Sequence, residues 1–233
     1  VLNNKTLNVN TAAVCKSFTI NGGNGSNPVT ITGSNSLTVT NAITINATTS
    51  AQTKTIGVGS GTLSCASITM GAPTLGTCSI TASTGTINVT GNITMNGAGL
   101  TNTVTFTGAA TLNIGGNMTG GSFTCNTSTV NCNTASTQTM SGGYTFYNLT
   151  VNKTASGNTV DFSAPFTVNN NLTISTGTAS ITGTTANYTV TNDVVISASG
   201  TLINTVDYAA TSRTFNVGGS WTNNQGVFTP GTG

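Results

Sequence analysis

Short stretches of alternating apolar and polar residues run through the whole chain. Examples are TLNVN at 6–10, SLTVT at 36–40, TINVT at 86–90 and TVTFT at 103–107. Gly, Asn or Ser bounds each stretch, and no long run shows the helical period of 3.6 residues. Alternation over strand-length segments is typical of strands with one buried face. The pattern therefore predicts an all-β chain.

Pairs of these segments form a longer unit, in which apolar residues recur at positions i, i+2, i+6 and i+8 around a polar corner. Copies of the unit begin at Leu37, Leu63, Ile87, Leu112, Phe166, Tyr188 and Phe215. The starts are separated by 26, 24, 25, 54, 22 and 27 residues, and 54 is interpreted as two steps of 27. A repeat of about 25 residues lies in the range of solenoids.

The repeat predicts a parallel β-helix (β-solenoid) in which one turn, called a rung below, has about 25 residues. The alternative is an antiparallel β-sandwich or tandem sandwiches, which would need two-residue hairpin turns. Asn-Gly dipeptides occur only at Asn21, Asn24 and Asn96, so the β-helix is the favoured fold. Residues 1–233 form a single β-solenoid domain in this interpretation.

The corner between the paired segments carries the sharper signal. Position i+4 of the unit, which lies in this corner, is Asn or Gly in the six copies of full spacing: Asn41, Gly91, Gly116, Asn170, Asn192 and Gly219. A sharp bend between two inward-facing strands favours residues that tolerate positive φ, and Gly and Asn do so. Stacked Asn side chains can also form hydrogen bonds along the axis as a ladder. These residues are therefore predicted to be structural corners.

The composition restricts the kinds of partner. Only 3% of residues are charged, whereas the chain contains 53 Thr and 31 Asn. The net charge of +2 provides no basic patch for nucleic acid. No apolar run reaches the roughly 20 residues that a membrane-spanning helix needs. The absence of an initiator Met and the interrupted repeat at Gly233 predict a processed chain or a piece of a longer repetitive one.

Five cysteines in a Thr- and Asn-rich chain that we expect to be exported favour at least one disulfide, with one thiol left over. The pairs closest in sequence are Cys125 with Cys132 and Cys65 with Cys78, which leaves Cys15. The alternative is that several cysteines are small core residues, because Cys65 occupies a position that Val or Ile fills elsewhere. Their spacing and the absence of His argue against zinc.

The titratable residues do not suggest an enzyme. The three carboxylates, Asp161, Asp193 and Asp207, lie at unrelated phases of the repeat, and there is no His for acid–base work. Scattered carboxylates also do not make a calcium site. We therefore expect no catalytic residues, no cofactor and no bound metal.

Aromatic residues offer one candidate binding patch. Tyr144 and Tyr147 could form a carbohydrate or partner platform, whereas Phe146 is expected to cap the core. Trp221 is assigned to the core, because it occupies the repeat position of Met118, Ile43 and Ile93.

Thr-x-Thr pairs could form the hydroxyl array of an ice-binding solenoid. The pairs begin at Thr30, Thr38, Thr103 and Thr189, which are 8, 65 and 86 residues apart. These spacings do not follow the 25-residue period, so the pairs predict a solvated strand face.

Four segments carry a more specific resemblance: GGNMTGGSF, TQTMSGGYTFYNLTVN, FTVNNNLTIS and VGGSWTNNQGVFTPGTG. They resemble a repeat of very long bacterial surface and secreted adhesin-like proteins, and the resemblance covers residues 111–233. It implies export, β-solenoid architecture and a role at the cell surface or in an extracellular matrix. It implies no shared catalytic residues.

The sequence thus predicts a structural extracellular protein, a subunit of a surface filament, sheath or matrix assembled by subunit stacking or strand exchange. Its predicted partners are further copies of itself, bound through the rung ends. The alternative is a glycan-binding adhesin module of a cell-surface protein.

Overall fold

The computed structural model describes residues 6–21, 25–46, 51–97, 102–183, 187–204 and 214–230. Its regular structure is entirely β and forms a solenoid with roughly 24 residues per turn. The strands of successive rungs pair in parallel, as in β1 with β4 at Leu7–Val9 and Val29–Ile31. The predicted parallel β-helix is confirmed, and the sandwich alternative is wrong.

The strands are short and follow one another through the chain. The first half contains β1 (Leu7–Val9), β2 (Ala13–Cys15), β3 (Phe18–Ile20), β4 (Val29–Ile31), β5 (Ser36–Ile45), β6 (Thr53–Gly57), β7 (Thr62–Met70), β8 (Thr77–Ala82), β9 (Thr86–Val89), β10 (Ile93–Met95), β11 (Asn102–Phe106), β12 (Thr111–Ile114) and β13 (Met118–Gly120). The second half contains β14 (Ser122–Thr124), β15 (Thr129–Cys132), β16 (Gln138–Met140), β17 (Thr145–Phe146), β18 (Asn148–Asn152), β19 (Thr159–Phe162), β20 (Thr167–Val168), β21 (Leu172–Ile181), β22 (Tyr188–Val190), β23 (Val194–Asn204), β24 (Phe215–Val217), β25 (Trp221–Asn223) and β26 (Val227–Thr229).

Equivalent strands of successive rungs stack into three faces. The first face consists of β1, β4, β6, β8, β11 and β14, followed by β17, β20, β22 and β24. The other two faces belong to one bent 16-stranded sheet. The second face contains β2, β9, β12, β15, β18, β25 and the first halves of β5, β7, β21 and β23. The third face contains β3, β10, β13, β16, β19, β26 and the second halves of those long strands.

One inward-facing column on the second face shows how the core is built. Its members are register partners in successive rungs: Ala13, Leu37, Leu63, Ile87, Leu112, Val130, Leu149, Leu172, Val194 and Trp221. The members from Leu37 to Val194 are buried. Burial of one such side chain contributes about 1.5–3 kcal/mol. Because a single rung cannot cover its own apolar surface, this contribution depends on the neighbouring rungs.

The column also corrects the interpretation of the 54-residue interval. Val130 follows Leu112 after 18 residues and Leu149 follows Val130 after 19, so this part contains short rungs rather than two steps of 27. The copy that begins at Phe166 belongs to another phase, because Phe166 precedes β20 on the first face whereas Leu112 lies on the second. Alternation is the same on all faces, so the sequence pattern does not distinguish them.

The six predicted corner residues form two different corners. Asn41, Gly91 and Gly116 lie between the second and third faces, whereas Asn170, Asn192 and Gly219 lie between the first and second faces. Backbone hydrogen bonds join the members of each set to the adjacent rung, as from Gly116 N to Gly91 O at 2.9 Å and from Gly219 N to Asn192 O at 3.0 Å.

The predicted reason for these corners is wrong, since none of the six residues has a positive φ. At the glycines the constraint is close approach: a Cβ on Gly116 would lie 2.3 Å from Asn92 Oδ1, and one on Gly91 would lie 2.7 Å from Ala66 O. Positive φ occurs at other positions, among them Gly120 (70°) and Gly121 (52°), where a single residue connects β13 to β14. That tight turn requires glycine.

Replacement of a corner glycine should test the close-approach explanation. We expect Gly116→Ala to lower the free energy of unfolding by about 1–3 kcal/mol, because the new methyl group overlaps the rung below. Gly157→Ala is the matched control, since a Cβ there meets nothing within 4 Å. Urea unfolding followed by circular dichroism measures both variants, and equal stability of the two would contradict the explanation.

Candidate functional site

Exposed apolar side chains concentrate at the two ends of the solenoid. Six large hydrophobic residues are exposed in the described part of the chain, and five of them belong to the first or the last rung: Leu7, Val14, Trp221, Val227 and Phe228. In the intermediate rungs only Leu75 of the described large hydrophobic residues is exposed. The two end surfaces are therefore the candidate interaction sites.

The last rung presents an aromatic cluster formed by Phe215, Trp221 and Phe228. The ring centroids of Trp221 and Phe228 are 4.7 Å apart, and those of Phe215 and Trp221 are 6.2 Å apart, both in edge-to-face geometry. Trp221 is 38% exposed and Phe228 40% exposed. Offset or edge-to-face contact is the favoured geometry for such rings, so the cluster is a preorganised apolar surface.

The prediction that Trp221 is a core residue is wrong in two respects. Trp221 pairs with Val194 and so continues the second-face column, whereas Ile43, Ile93 and Met118 stack on the third face. It is also partly exposed, because no later rung covers it in the described residues.

The first rung contains a cavity of about 270 Å³. Mainly apolar residues line it, among them Leu7, Ala13, Cys15, Phe18 and Leu37. Ala13 and Leu37 are the first two members of the second-face column, so the cavity and Trp221 lie at opposite ends of the same column. The first rung thus has a cavity at the position in the column where the last rung has the indole ring of Trp221.

The predicted patch of Tyr144 and Tyr147 does not form an exposed aromatic platform. Tyr144 is only 2% exposed, its hydroxyl donates to Gly120 O at 2.9 Å, and burial raises the pKa of this hydroxyl. Tyr147 is half-buried against the core, and Phe146 is buried as predicted. Tyr144 therefore closes a corner of the core and is not available to a glycan.

The predicted disulfides are absent, because all five cysteines are free thiols. Cys65 pairs with Val39 and Val89 on the second face, whereas Cys78 lies on the first face next to Lys54. Cys132 takes an aliphatic position between Ile114 and Val151. The alternative interpretation of Cys65 as a small core residue is confirmed. Buried, protonated thiols of this kind are unreactive.

A polar cluster lies inside the solenoid at the corner between the second and third faces. The Lys153 ammonium, 2% exposed, donates to Gln138 Oε1 and, at 3.4 Å, to Thr134 Oγ1. Gln138 Nε2 in turn donates to Ile114 O at 3.0 Å and Gly116 O at 2.8 Å. Burial lowers the pKa of Lys153. The cluster joins three successive rungs by hydrogen bonds.

The sequence analysis did not identify the buried lysines, although one signal was present. Lys54 is fully buried and donates to Gly25 O. Lys54, Ile56 and Val58 alternate along one stretch and all three are buried, so the strand period places the lysine on the inward side. Neither Lys54 nor Lys153 forms an ion pair with a carboxylate of the described residues.

Asparagine ladders run along the outside of the rod, which confirms that prediction. Asn192 Nδ2 donates to Asn170 Oδ1 at 2.6 Å, and Asn170 Nδ2 donates to Asn148 Oδ1 at 2.8 Å. A second ladder on the second face joins Ser64, Asn88, Asn113 and Asn131 over 2.8–3.2 Å. In both ladders the side chains bond to their neighbours in adjacent rungs.

The described carboxylates accept hydrogen bonds from neighbouring residues of the solenoid. Asp161 Oδ1 accepts the Thr182 hydroxyl at 2.6 Å, and Asp193 Oδ1 accepts the Ser220 N–H at 2.8 Å. Asp207 lies outside the described residues. Within the described ranges, no three Cys, Asp or Glu residues are grouped so that they could hold a metal ion.

Known proteins give no further information about the site. No family, curated protein or solved structure matches the chain. The residues that the structure describes include no helix long and apolar enough to cross a membrane.

The buried thiol of Cys65 predicts a measurable pH dependence. Burial raises its pKa from 9.0 to about 12, so the folded chain retains a proton that the unfolded chain releases. The associated stability is complete below pH 9 and is lost as the pH rises from 9 to 12. Over this range the free energy of unfolding should fall more steeply for the wild type than for Cys65→Val, by up to about 1.4 kcal/mol per pH unit.

Valine suits this position because Val39 and Val89 are its register partners. Denaturant unfolding at a series of pH values provides the measurement. Val168→Ala serves as the control, because it removes buried apolar surface far from Cys65, leaves the thiol and its neighbours in place, and should keep the wild-type slope. Parallel slopes for the wild type and Cys65→Val would contradict the assignment.

The asparagine ladder can be tested at its middle member. Asn170→Ala removes one hydrogen bond to each neighbour and should cost about 2 kcal/mol of stability, at about 1 kcal/mol per bond. Asn152→Ala is the control, because Asn152 is exposed and its side chain forms no hydrogen bond with the described residues. Thermal unfolding should separate the two variants, and equal midpoints would count against a stabilising ladder.

Proposed function

We propose that the chain is a structural, non-catalytic rod, a subunit of an extracellular filament, sheath or matrix that assembles through contact between rung ends. The observation that carries this proposal is the complementarity of its two ends. An exposed aromatic cluster occupies the last rung, and a cavity opens among apolar residues of the first.

The shape of the second-face column supports head-to-tail contact between copies. Ala13, its first member, is small, and Trp221, its last member, is the largest side chain in the chain. When the first rung of one copy stacks on the last rung of another, the indole of Trp221 faces the cavity next to Ala13. Insertion of the ring would continue the core across the junction and bury the exposed apolar surface.

The backbone supports the same arrangement. In the described residues, β24, β25 and β26 pair only with the preceding rung, and β1, β2 and β3 pair only with the following one. Each of these two edges carries a row of backbone N–H and C=O groups that have no strand partner within the described residues. Strand addition across the junction would satisfy both.

A contact between two different surfaces of one molecule is heterologous, and such contacts produce open polymers when the rotation does not close. The sides of the rod suit this role, because they are uncharged over most of their length and their asparagine side chains bond to each other along the rod. The resemblance to repeats of bacterial surface proteins supports an extracellular location.

The proposal predicts polymers that depend on Trp221. Sedimentation velocity over a range of concentrations, with electron microscopy of the same samples, should show end-to-end species for the wild type. Trp221→Asp should abolish them, because it would bury an unpaired carboxylate at the junction. Ala13→Trp should also weaken assembly, since it fills the cavity at the other end.

Thr222→Asp is the matched control, because Thr222 is exposed on the same strand and points to the opposite side from Trp221. This variant should assemble like the wild type. Monomers alone at every concentration would overturn the proposal. Equal assembly of Trp221→Asp and the wild type would show that the copies associate through another surface.

A further inference from the structure

Five threonines form an unbroken outward column on the third face. Thr19, Thr44, Thr69, Thr94 and Thr119 are register partners in five successive rungs, at a constant step of 25 residues. Each has buried or half-buried apolar neighbours on its strand, such as Ile43 and Ile45 around Thr44, so its own side chain points outward. The Thr-x-Thr pairs considered from sequence miss this column, because its members are single threonines.

The hydroxyl groups of this column are available for hydrogen bonds to solvent or a ligand. None of the five donates or accepts a side-chain hydrogen bond within the described residues, whereas the asparagines of the neighbouring second face bond to each other at 2.8–2.9 Å. The asparagine side chains thus bond to each other along the rod, whereas the threonine hydroxyls face the outside of the rod. Solvent or an external ligand must supply its partners.

The column is uncharged and rigid. Its strands, β3, β5, β7, β10 and β13, contain no Asp, Glu, Lys, Arg or aromatic residue except Phe18, which packs against the core. Sheet hydrogen bonds hold successive hydroxyls at roughly the 4.8 Å separation of parallel strands. The neutral stretch ends further along the third face, where Asp161 accepts a hydrogen bond from Thr182.

These properties restrict the ligand. A single row of hydroxyl and methyl groups encloses no pocket, so a small molecule would make few contacts there. The matching partner is itself a repeating surface, is uncharged like the column, and exchanges hydrogen bonds at a regular spacing. Crystalline water and crystalline polysaccharide both meet this description. The outward positions of the column carry no aromatic ring on which a sugar could stack, which favours ice.

We propose that the threonine column from Thr19 to Thr119 is an ice-binding face. Its hydroxyls occupy a regular row from which water molecules of the ice surface accept and donate hydrogen bonds. The adjoining methyl groups, fixed by the preferred rotamers of a β-branched side chain, restrict water in the gaps between the hydroxyls. The inference does not depend on head-to-tail assembly, since it concerns the side of the rod.

The test measures incorporation of the fluorescently labelled chain into slowly growing ice, together with inhibition of ice recrystallisation. Thr69→Tyr and Thr94→Tyr place a ring in the middle of the column and should abolish incorporation. Thr150→Tyr is the matched control, because Thr150 is an equally half-buried outward threonine on the second face whose register partners are Asn131 and Thr173. It should behave like the wild type. Circular dichroism confirms that each variant retains its β structure.

Thr94→Val separates the two parts of the side chain, because it keeps the β-branched shape and removes one hydroxyl. A partial loss of incorporation is expected, and unchanged incorporation would contradict the role of the hydroxyl row.

Exclusion of the wild type from ice would overturn the proposal, as would equal loss for the second-face and third-face variants. Sedimentation with microcrystalline cellulose and with chitin forms a parallel arm. Binding to either polysaccharide but not to ice would assign the column to a glycan surface instead.

Discussion

The parallel hydrogen-bond register between rungs is the constraint on which the rest of the structure depends. It places each inward side chain above an equivalent one in the previous rung, as Leu63 above Leu37, so the core is a set of continuous columns. The same register arranges the outward side chains in rows. The apolar core, the asparagine ladders and the threonine column are therefore consequences of one backbone geometry.

Much of this geometry could be predicted from the sequence, because alternation and a recurrent rung length are direct effects of strand pairing. The ladder through Asn170 and Asn192 and the core position of Cys65 followed from comparison of repeat positions. The column at Thr19, Thr44 and the three later threonines was also accessible, since its 25-residue step is visible in the sequence once each outward threonine is considered singly.

Other features depend on information that the pattern does not contain. All three faces alternate in the same way, so the rungs of 18 and 19 residues after Leu112 could not be assigned to a face. The reason for glycine at Gly116 is the proximity of another rung, which only the stacked structure shows. Tyr144 was predicted to be exposed and is buried, whereas Trp221 was predicted to be buried and is partly exposed. The burial of each depends on whether a following rung covers it.

The buried ammonium of Lys153 has a consequence for how such a chain finds its alignment. Rungs of similar length and composition are nearly interchangeable, so a displacement by one whole rung is the natural folding error of a solenoid. Such a displacement would part Lys153 from Gln138 and leave a charge without acceptors in an apolar interior, at a cost of several kcal/mol. This buried polar contact, like that of Lys54 with Gly25 O, thus favours the correct alignment over similar ones.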